Sequence, residues 1–262
     1  MSGCWRRRNE SDGGVLCGSR DGKRHESHNA WPAGGGAVKA MVLAAGRGER
    51  MRPITDTLPK PLVPVAGKPL IAYHLERLAA AGVREVVVNL SWLGDRIQTV
   101  LGEGRDYHLS ISYSEEGPVP LETGGGIFKA LPFLGPGPFL VVNGDTWSDI
   151  DYSRLALEDG ATGRIVLVPN PTHHTRGDFG VEGDVVVDRE TDRFTYSGVG
   201  VYRPAFFDGC SPGRFPMLPL LKRAIAARLL RGQVHRGEWC DVGTPERLAA
   251  LDADVRARVG EK

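Results

Sequence analysis

Positively charged residues lie between and after two closely spaced glycines in the segment 42–53, which reads VLAAGRGERMRP. A short apolar run precedes Gly46 and Gly48, whose freedom to adopt positive φ lets backbone N–H groups approach a phosphate at the end of a strand. The third glycine that opens a helix in a dinucleotide-binding loop is missing. We therefore expect this loop to cover a triphosphate, with a basic surface turn as the alternative. Fixed positive charge comes from three arginines, Arg47, Arg50 and Arg52.

A lysine between two prolines follows this loop. Lys60 lies in the segment TLPKPLVPVAGKPL (57–70), whose four prolines favour an extended chain. The direction of the Lys60 side chain is therefore set by its neighbours. We expect Lys60 to bind phosphate, with a solvated surface charge as the alternative.

Two aspartates are candidate metal ligands. In FLVVNGDTW (139–147), four apolar residues bring Asn143 and Asp145 to the end of a buried strand. In WCDVGTPERL (239–248), Asp241 precedes a helix start. Mg²⁺ binds through a few carboxylates together with substrate phosphates, so Asp145 is expected to bind it, and Asp241 is a candidate second ligand of the same ion. The alternatives are a helix cap for Asp145 and an ordinary helix-preceding aspartate for Asp241.

A run of three glycines suggests close approach to a flat ligand. The segment LETGGGIF (121–128) places Glu122 before these glycines at the start of a helix. Backbone there can approach a base or a ribose, and Glu122 can read the edge of a base. The alternative is a flexible turn.

Strands and helices alternate from Val38 onward, and this alternation must position these residues. Strands are predicted at 39–45, 84–90, 109–114, 138–145 and 164–169, with antiparallel strands within 183–202. Helices are predicted from Pro69 to Gly82, at 92–102, from Gly124 to Leu131 before Pro132, at 216–228, and after Thr244. The chain between Pro53 and Pro64 is expected to be irregular. This order implies a doubly wound, mostly parallel sheet.

Composition excludes several classes of function. The formal net charge of +1 gives no support for binding to nucleic acid or to a membrane. No apolar stretch approaches the roughly 20 residues of a membrane span. The four cysteines lack metal-ligand spacing, which favours reduced thiols and a cytoplasmic location. The oligomeric state is left open between a monomer and a small homo-oligomer.

The first 37 residues differ from the rest in composition. They contain few aliphatic residues, and we expect a disordered N-terminal extension that precedes a domain at 38–262. An apolar core typical of a secretion signal is missing. An alternative is that translation begins at Val38, in which case residues 1–37 are not translated.

Four motifs in order resemble the sugar-nucleotidyltransferase family: LAAGRGERMRPIT, PKPLVPVAGKPL, NGD and WCDVGT. The resemblance extends from Lys39 to about Leu251. It implies a Rossmann-like, doubly wound mixed sheet, mostly parallel, of the glycosyltransferase-A-like nucleotidyltransferase fold. A NAD-binding oxidoreductase is disfavoured because Asn89 stands where its second strand would end in an acidic residue.

The resemblance also implies a role for individual residues. Arg50 would bind the leaving pyrophosphate, Lys60 a phosphate, and Asp145 and Asp241 the Mg²⁺ ion. Asn143 and Asp178 would face the sugar. The nucleotide would contact Leu43, Ala44, Ala45, Gly46, Gly48, Lys60, Glu122, Gly124 and Gly125. The roles of four residues stay open: Arg47, Arg52, His173 and His174.

A narrower resemblance concerns the substrate. The segments GERMRP, YHLERLAAAGV, LETGGGIFKALPFLG, FLVVNGDTW and RGDF are similar to family members that act in peptidoglycan recycling. This implies transfer of UMP from UTP to N-acetylmuramic acid 1-phosphate. The alternatives are another sugar 1-phosphate, such as mannose 1-phosphate with GTP or glucose 1-phosphate with UTP or dTTP, and an inactive paralogue that binds nucleotide and regulates a partner.

Overall fold

The computed structural model describes residues 38–260, so the predictions for residues 1–37 lie outside the described residues. The strands are β1 Lys39–Leu43, β2 Pro64–Val65, β3 Lys68–Pro69, β4 Glu85–Leu90, β5 Ser110–Glu115, β6 Phe139–Asn143, β7 Thr146–Ser148, β8 Gly163–Val168, β9 Gly180–Glu182, β10 Val185–Val187, β11 Thr195–Tyr202, β12 Leu230–Val234 and β13 Trp239–Asp241. The helices are α1 Ile54–Thr57, α2 Leu70–Ala80, α3 Gly94–Leu101, α4 Glu122–Leu134, α5 Leu218–Ala226 and α6 Pro245–Gly260.

Nine of these strands form one mixed sheet in the order β5-β4-β1-β6-β11-β8-β12-β10-β9. The first four strands in this order are parallel to one another. Strand β11 is antiparallel to both of its neighbours, and β12 is parallel to β8. The predicted doubly wound mixed sheet is confirmed, with four parallel strands from the first half of the chain and one further parallel pair, β8 with β12, from the second.

Apolar residues on alternate positions of the central strands pack on opposite faces of this sheet. In β1, Ala40 and Val42 belong to one hydrophobic cluster and Met41 to the other. The first cluster includes Ile71 and Leu75 of α2, whereas the second includes helices α4 and α5. Because both faces are covered by helices, the central parallel strands are buried on both sides.

A separate two-stranded sheet, β7 with β13, holds the late WCD segment beside β6. Asp241 is paired with Thr146, and the N–H of Val242 donates to the carbonyl of Asp145 over 3.0 Å. A third hydrophobic cluster fixes this region, and it includes Met51, Val63, Leu70, Trp147, Val242, Leu251 and Val255. The two aspartates far apart in sequence are therefore held on neighbouring backbone segments.

Two local predictions are wrong. Helix α4 runs from Glu122 through Pro132 to Leu134, although Pro132 was expected to end it. Ala130 and Leu134 are buried in the hydrophobic cluster beneath α4, so packing stabilises the last turn. The segment between Pro53 and Pro64 is not irregular, because it contains α1 and a 3₁₀ turn. Among residues 38–260, no helix combines the length and apolar character needed to cross a bilayer.

Candidate active site

Two adjoining clefts open where β1 and β6 end. The first has a volume of about 670 Å³ and the second of about 390 Å³. Three residues line both clefts: Arg50, Asn143 and Asp145. A ligand that fills both clefts therefore meets a cation, an amide and a carboxylate at their junction.

The glycine-rich loop forms one wall of the first cleft and folds over the Lys60 segment. At Gly48 φ is +65°, and a Cβ there would lie 2.9 Å from Thr55 Cγ2 and 3.2 Å from Lys60 Cβ. The Thr55 hydroxyl donates to the Gly48 carbonyl over 2.8 Å. Gly46 does not have positive φ, which corrects the expectation that both glycines use this freedom. Open space surrounds the position of its missing Cβ, which leaves room for a ligand.

The three arginines of the loop have different surroundings. Arg47 lies over the ring of Trp92, with its guanidinium carbon 5.3 Å from the ring centroid. Arg52 forms a 3.1 Å ion pair with Asp56. Arg50 lines both clefts, and its exposed side chain has no hydrogen bond or ion pair with residues 38–260. Among these arginines, Arg50 has the position and the freedom to bind an anion in either cleft.

Lys60, which lines the first cleft, forms an ion pair with Asp145, which lines both clefts. The distance from Lys60 Nζ to Asp145 Oδ2 is 2.6 Å. The Lys60 side chain is only 9% exposed, whereas that of Asp145 is 41% exposed. A buried ammonium needs such a partner, so the pair fixes Lys60 while Asp145 still faces the solvent of the cleft.

Asp241 is held by two basic side chains. Its two carboxylate oxygens lie 2.6 and 2.7 Å from Nη1 of Arg247, and Oδ1 lies 2.9 Å from Nε2 of His173. A Cβ at Gly243 would lie 2.2 Å from Arg247 Nη2, so this glycine makes room for the guanidinium. Sequence reasoning missed Arg247, although it lies in the first turn of α6, just after the residues Gly243, Thr244 and Pro245.

The carboxylates of Asp145 and Asp241 fit a divalent cation whose coordination is completed by substrate oxygens. Within residues 38–260, no group of three or more His, Cys, Asp or Glu side chains could hold a metal ion. Asp145 and Asp241 both line the second cleft, and the Oδ1 atom of Asp145 has no hydrogen bond within the described chain. Two carboxylates and several phosphate oxygens match the preference of Mg²⁺. Arg247 would have to yield at least one Asp241 oxygen.

A chain of hydrogen bonds joins the other wall of the first cleft to the loop. The N–H of Ala44 donates to Asn89 Oδ1, and Asn89 Nδ2 donates to Glu116 Oε1, each over 2.6 Å. The N–H of Leu121 donates to Glu116 Oε2 over 2.6 Å. Glu116 is buried and lines the first cleft. Sequence reasoning missed Glu116, because its partner Asn89 lies 27 positions away along the chain.

Glu122 and the glycines that follow it at the start of α4 have different surroundings. Glu122 lines the first cleft and forms a 2.9 Å ion pair with Arg214. A Cβ at Gly124 would lie 2.6 Å from the ring of Phe215, and the N–H of Gly125 donates to the Phe215 carbonyl. This geometry favours a packing role for Gly124 and Gly125, and their contact with nucleotide stays a prediction.

A distorted stretch of β11 makes room for the Asn143 side chain. The pairing of β11 with β8 shifts register between Tyr196 and Gly200. In this stretch Gly198 has φ +81°, and a Cβ there would lie 2.5 Å from Asn143 Nδ2. The shape of β11 therefore sets where Asn143 projects at the junction of the clefts.

Asp178 lies behind the wall of the second cleft. Its Oδ1 atom is 3.0 Å from Nε2 of His174, and its Oδ2 atom accepts from the N–H of Tyr196 over 2.8 Å. His174 and Tyr196 line the cleft, as does Trp239, but Asp178 is not among its lining residues. The geometry places Asp178 as a support for its neighbours, and direct contact with a sugar stays a prediction.

Comparisons with known proteins agree in the type of protein that this chain is similar to. A family model described as nucleotidyl transferase matches residues 39–192. The N-acetylmuramate alpha-1-phosphate uridylyltransferase of Neisseria meningitidis serogroup B is 49% identical over 225 residues, which is 82% of this chain and 97% of the relative. The protein of the same name from Caulobacter vibrioides is 36% identical over 230 residues, covering 82% of this chain and 95% of the relative.

A solved structure supports the fold. A candidate glucose-1-phosphate thymidylyltransferase of Bacillus anthracis superposes with a TM-score of 0.74 at 18% sequence identity. The match covers 84% of this chain and 96% of the other. At this level of identity the likeness concerns the fold alone.

Proposed function

The chain belongs to the nucleotidyl transferase family, and on this premise we propose that it transfers UMP from UTP to N-acetylmuramic acid 1-phosphate. The products are UDP-N-acetylmuramic acid and pyrophosphate. The choice of donor and acceptor rests on the two relatives that share this activity in their names and match over nearly their whole length. The reaction class rests on the geometry of the two clefts.

The proposed function rests mainly on the residues at the junction between these clefts. The larger first cleft suits the nucleoside triphosphate, and the second suits the sugar phosphate. Because Arg50, Asn143 and Asp145 line both clefts, the reacting phosphates meet beside these three residues. Holding two reactants at one junction lowers the entropic cost of bringing them together.

At this junction an oxygen of the acceptor's phosphate attacks the α-phosphorus of UTP. The new P–O bond forms as the bond between the α-phosphorus and the oxygen bridging to the β-phosphorus breaks, and pyrophosphate leaves in line. A phosphate monoester dianion is already a nucleophile, so no side chain has to remove a proton. Phosphoryl-type transfer of this kind depends on positioning and charge stabilisation.

Arg50 and Lys60 have distinct tasks in this reaction. Arg50, which is exposed at the junction and has no ion pair within residues 38–260, binds the departing pyrophosphate. Lys60, fixed by Asp145, contributes a positive charge beneath the phosphates. His173 is engaged by Asp241, and the chemistry has no proton transfer that requires it.

Mg²⁺ is the cofactor that we propose, with Asp145 and Asp241 as its protein ligands. When bound, the ion draws the two anionic substrates together and offsets charge on the leaving group. The pairing of β7 with β13 holds the two carboxylates on neighbouring segments.

We further place the reaction in the cytoplasm and in peptidoglycan recycling, because N-acetylmuramic acid is a component of that polymer. The monomeric or small homo-oligomeric state stays a prediction.

A substrate panel tests this function. The purified protein is incubated with Mg²⁺ and paired donors and acceptors, and pyrophosphate release is measured. We expect the highest kcat/KM with UTP and N-acetylmuramic acid 1-phosphate. Activity confined to GTP with mannose 1-phosphate, or to glucose 1-phosphate with UTP or dTTP, would refute the proposed substrate. Nucleotide binding without turnover of any pair would instead indicate an inactive regulatory paralogue.

A further inference from the structure

The sugar end of the second cleft contains two side chains that can carry a positive charge. Beyond the three residues shared with the first cleft, the described residues that line the second cleft include no lysine or arginine. They do include His173 and His174. The phosphates react at the shared residues, so these histidines are the basic groups available to the rest of the sugar.

The two histidines have different partners. His173 Nε2 lies 2.9 Å from Asp241 Oδ1 and 2.6 Å from Arg247 Nη1. His173 is therefore engaged by Asp241, one of the two carboxylates proposed to bind the metal. His174 Nε2 lies 3.0 Å from Asp178 Oδ1, and its Nδ1 atom has no hydrogen bond within the described chain. His174 is therefore the histidine with a ring nitrogen available to a ligand.

We propose that His174 binds the carboxylate of the acceptor's lactyl ether and so determines specificity for N-acetylmuramic acid 1-phosphate. This inference rests on the proposed function. N-acetylmuramic acid differs from N-acetylglucosamine by this ether, which adds one negative charge to the sugar. A neutral sugar 1-phosphate has no group in the same place that needs a cation, whereas a charge-assisted hydrogen bond is among the stronger polar contacts.

Asp178 is the positioning residue of this site. Nε2 of His174 donates to one oxygen of its carboxylate, and the N–H of Tyr196 donates to the other. With Nε2 donating to Asp178, it is the Nδ1–H of the imidazolium that donates to the substrate carboxylate, because a neutral ring would present a lone pair there. Because Asp178 is not among the residues lining the cleft, the imidazole stands between its carboxylate and that of the substrate. Asp178 therefore acts on specificity through His174.

The test compares two acceptors with UTP and Mg²⁺: N-acetylmuramic acid 1-phosphate and N-acetylglucosamine 1-phosphate. In His174→Gln we expect kcat/KM for N-acetylmuramic acid 1-phosphate to fall about tenfold or more. The value of kcat/KM for N-acetylglucosamine 1-phosphate should change less than about twofold. If that acceptor turns over slowly, its inhibition constant is compared instead. Asp178→Asn should lower the same preference, and the double variant should lose no more than His174→Gln alone. His108→Gln, at an exposed histidine, is the matched control and should keep the preference of the wild type.

The possible outcomes separate this inference from the proposed function. If the wild type does not use N-acetylmuramic acid 1-phosphate, both are overturned. If the wild type uses it and a folded His174→Gln variant keeps the full preference, only the inference is overturned. His174→Arg provides a second route should the glutamine variant fail to fold. The arginine keeps the positive charge, so this variant is expected to retain most of the preference for N-acetylmuramic acid 1-phosphate. Loss of that preference in His174→Arg would count against the inference.

Discussion

The ammonium of Lys60 lies 2.6 Å from the Asp145 carboxylate, although 85 positions separate the two residues in the chain. Lys60 comes from the proline-rich segment after the glycine-rich loop, and Asp145 follows β6. Their ion pair therefore joins the segment beneath the loop to the strand end that would hold the metal. In the proposed reaction, the reacting groups of both substrates would meet beside this pair.

Replacement of Lys60 tests its role beneath the phosphates. Lys60→Ala removes a fixed positive charge from the junction, and we expect kcat/KM to fall about 100-fold or more, as for other preorganised charges in active sites. Lys68→Ala is the matched control, because Lys68 pairs with Glu76 at the surface, and it should retain activity. Pyrophosphate release from UTP provides the measurement, and near wild-type activity in Lys60→Ala would remove this lysine from the mechanism.

The two aspartates are expected to bind metal together with nucleotide. Asp145→Asn and Asp241→Asn should each weaken the binding of Mn²⁺ to the protein–UTP complex at least about tenfold, because each removes a charged oxygen ligand. Titration calorimetry measures this affinity independently of turnover. Asp151→Asn is the control, since Asp151 pairs with Arg154 away from the clefts. Equal Mn²⁺ affinity in all three variants would show that the metal site lies elsewhere.

Gly198 is predicted to be intolerant of a side chain. In Gly198→Ala the new Cβ would lie within 2.5 to 2.8 Å of Asn143 side-chain atoms at a φ of +81°. We expect the variant to lose about 1–3 kcal/mol of stability and to show a raised KM for the sugar phosphate. Gly183→Ala separates the causes, because Gly183 also has positive φ but open space around its missing Cβ. Equal loss in both variants would mean that Asn143 is not displaced.

His74 is predicted to make the stability depend on pH. It is buried, its Nε2 donates to the carbonyl of Thr146, and burial lowers its pKa from the usual 6.5 to about 4. The unfolded chain thus binds a proton below pH 6.5 that the folded protein does not bind until about pH 4. His74 should therefore lower the free energy of unfolding by about 2 kcal/mol between pH 7.5 and pH 5.

Denaturant unfolding at these two pH values measures this change. A His74→Gln variant that folds should lack this part of the pH dependence. NMR titration of the His74 ring in the folded protein checks the cause directly. A pKa near 6.5 would contradict the assignment.

Local sequence patterns were sufficient for most of the parallel half of the fold. Apolar runs predicted β1, β4 and β6, and the alternation with helices predicted the order of layers. Asp145 was predicted at the end of a buried strand, and it lies two positions beyond the last residue of β6. These features depend on neighbouring residues, so a single sequence contains the information.

Contacts between distant segments could not be predicted in the same way. The carboxylate of Asp241 is held by Arg247 and His173, and nothing in the local pattern places His173 beside it. Glu116 likewise depends on Asn89, which lies 27 positions away. Pro132 lies inside α4 because burial of the turn around it outweighs the local preference to stop.

In the proposed reaction, the phosphate of N-acetylmuramic acid 1-phosphate attacks the α-phosphorus of UTP. Phosphorus NMR follows the oxygen atoms in a reaction containing the protein, UTP, Mg²⁺ and an acceptor labelled with ¹⁸O in its phosphate. We predict equal amounts of UDP-N-acetylmuramic acid and pyrophosphate, with all of the label in the sugar nucleotide. Label in the pyrophosphate, or consumption of UTP without formation of the sugar nucleotide, would rule out this mechanism.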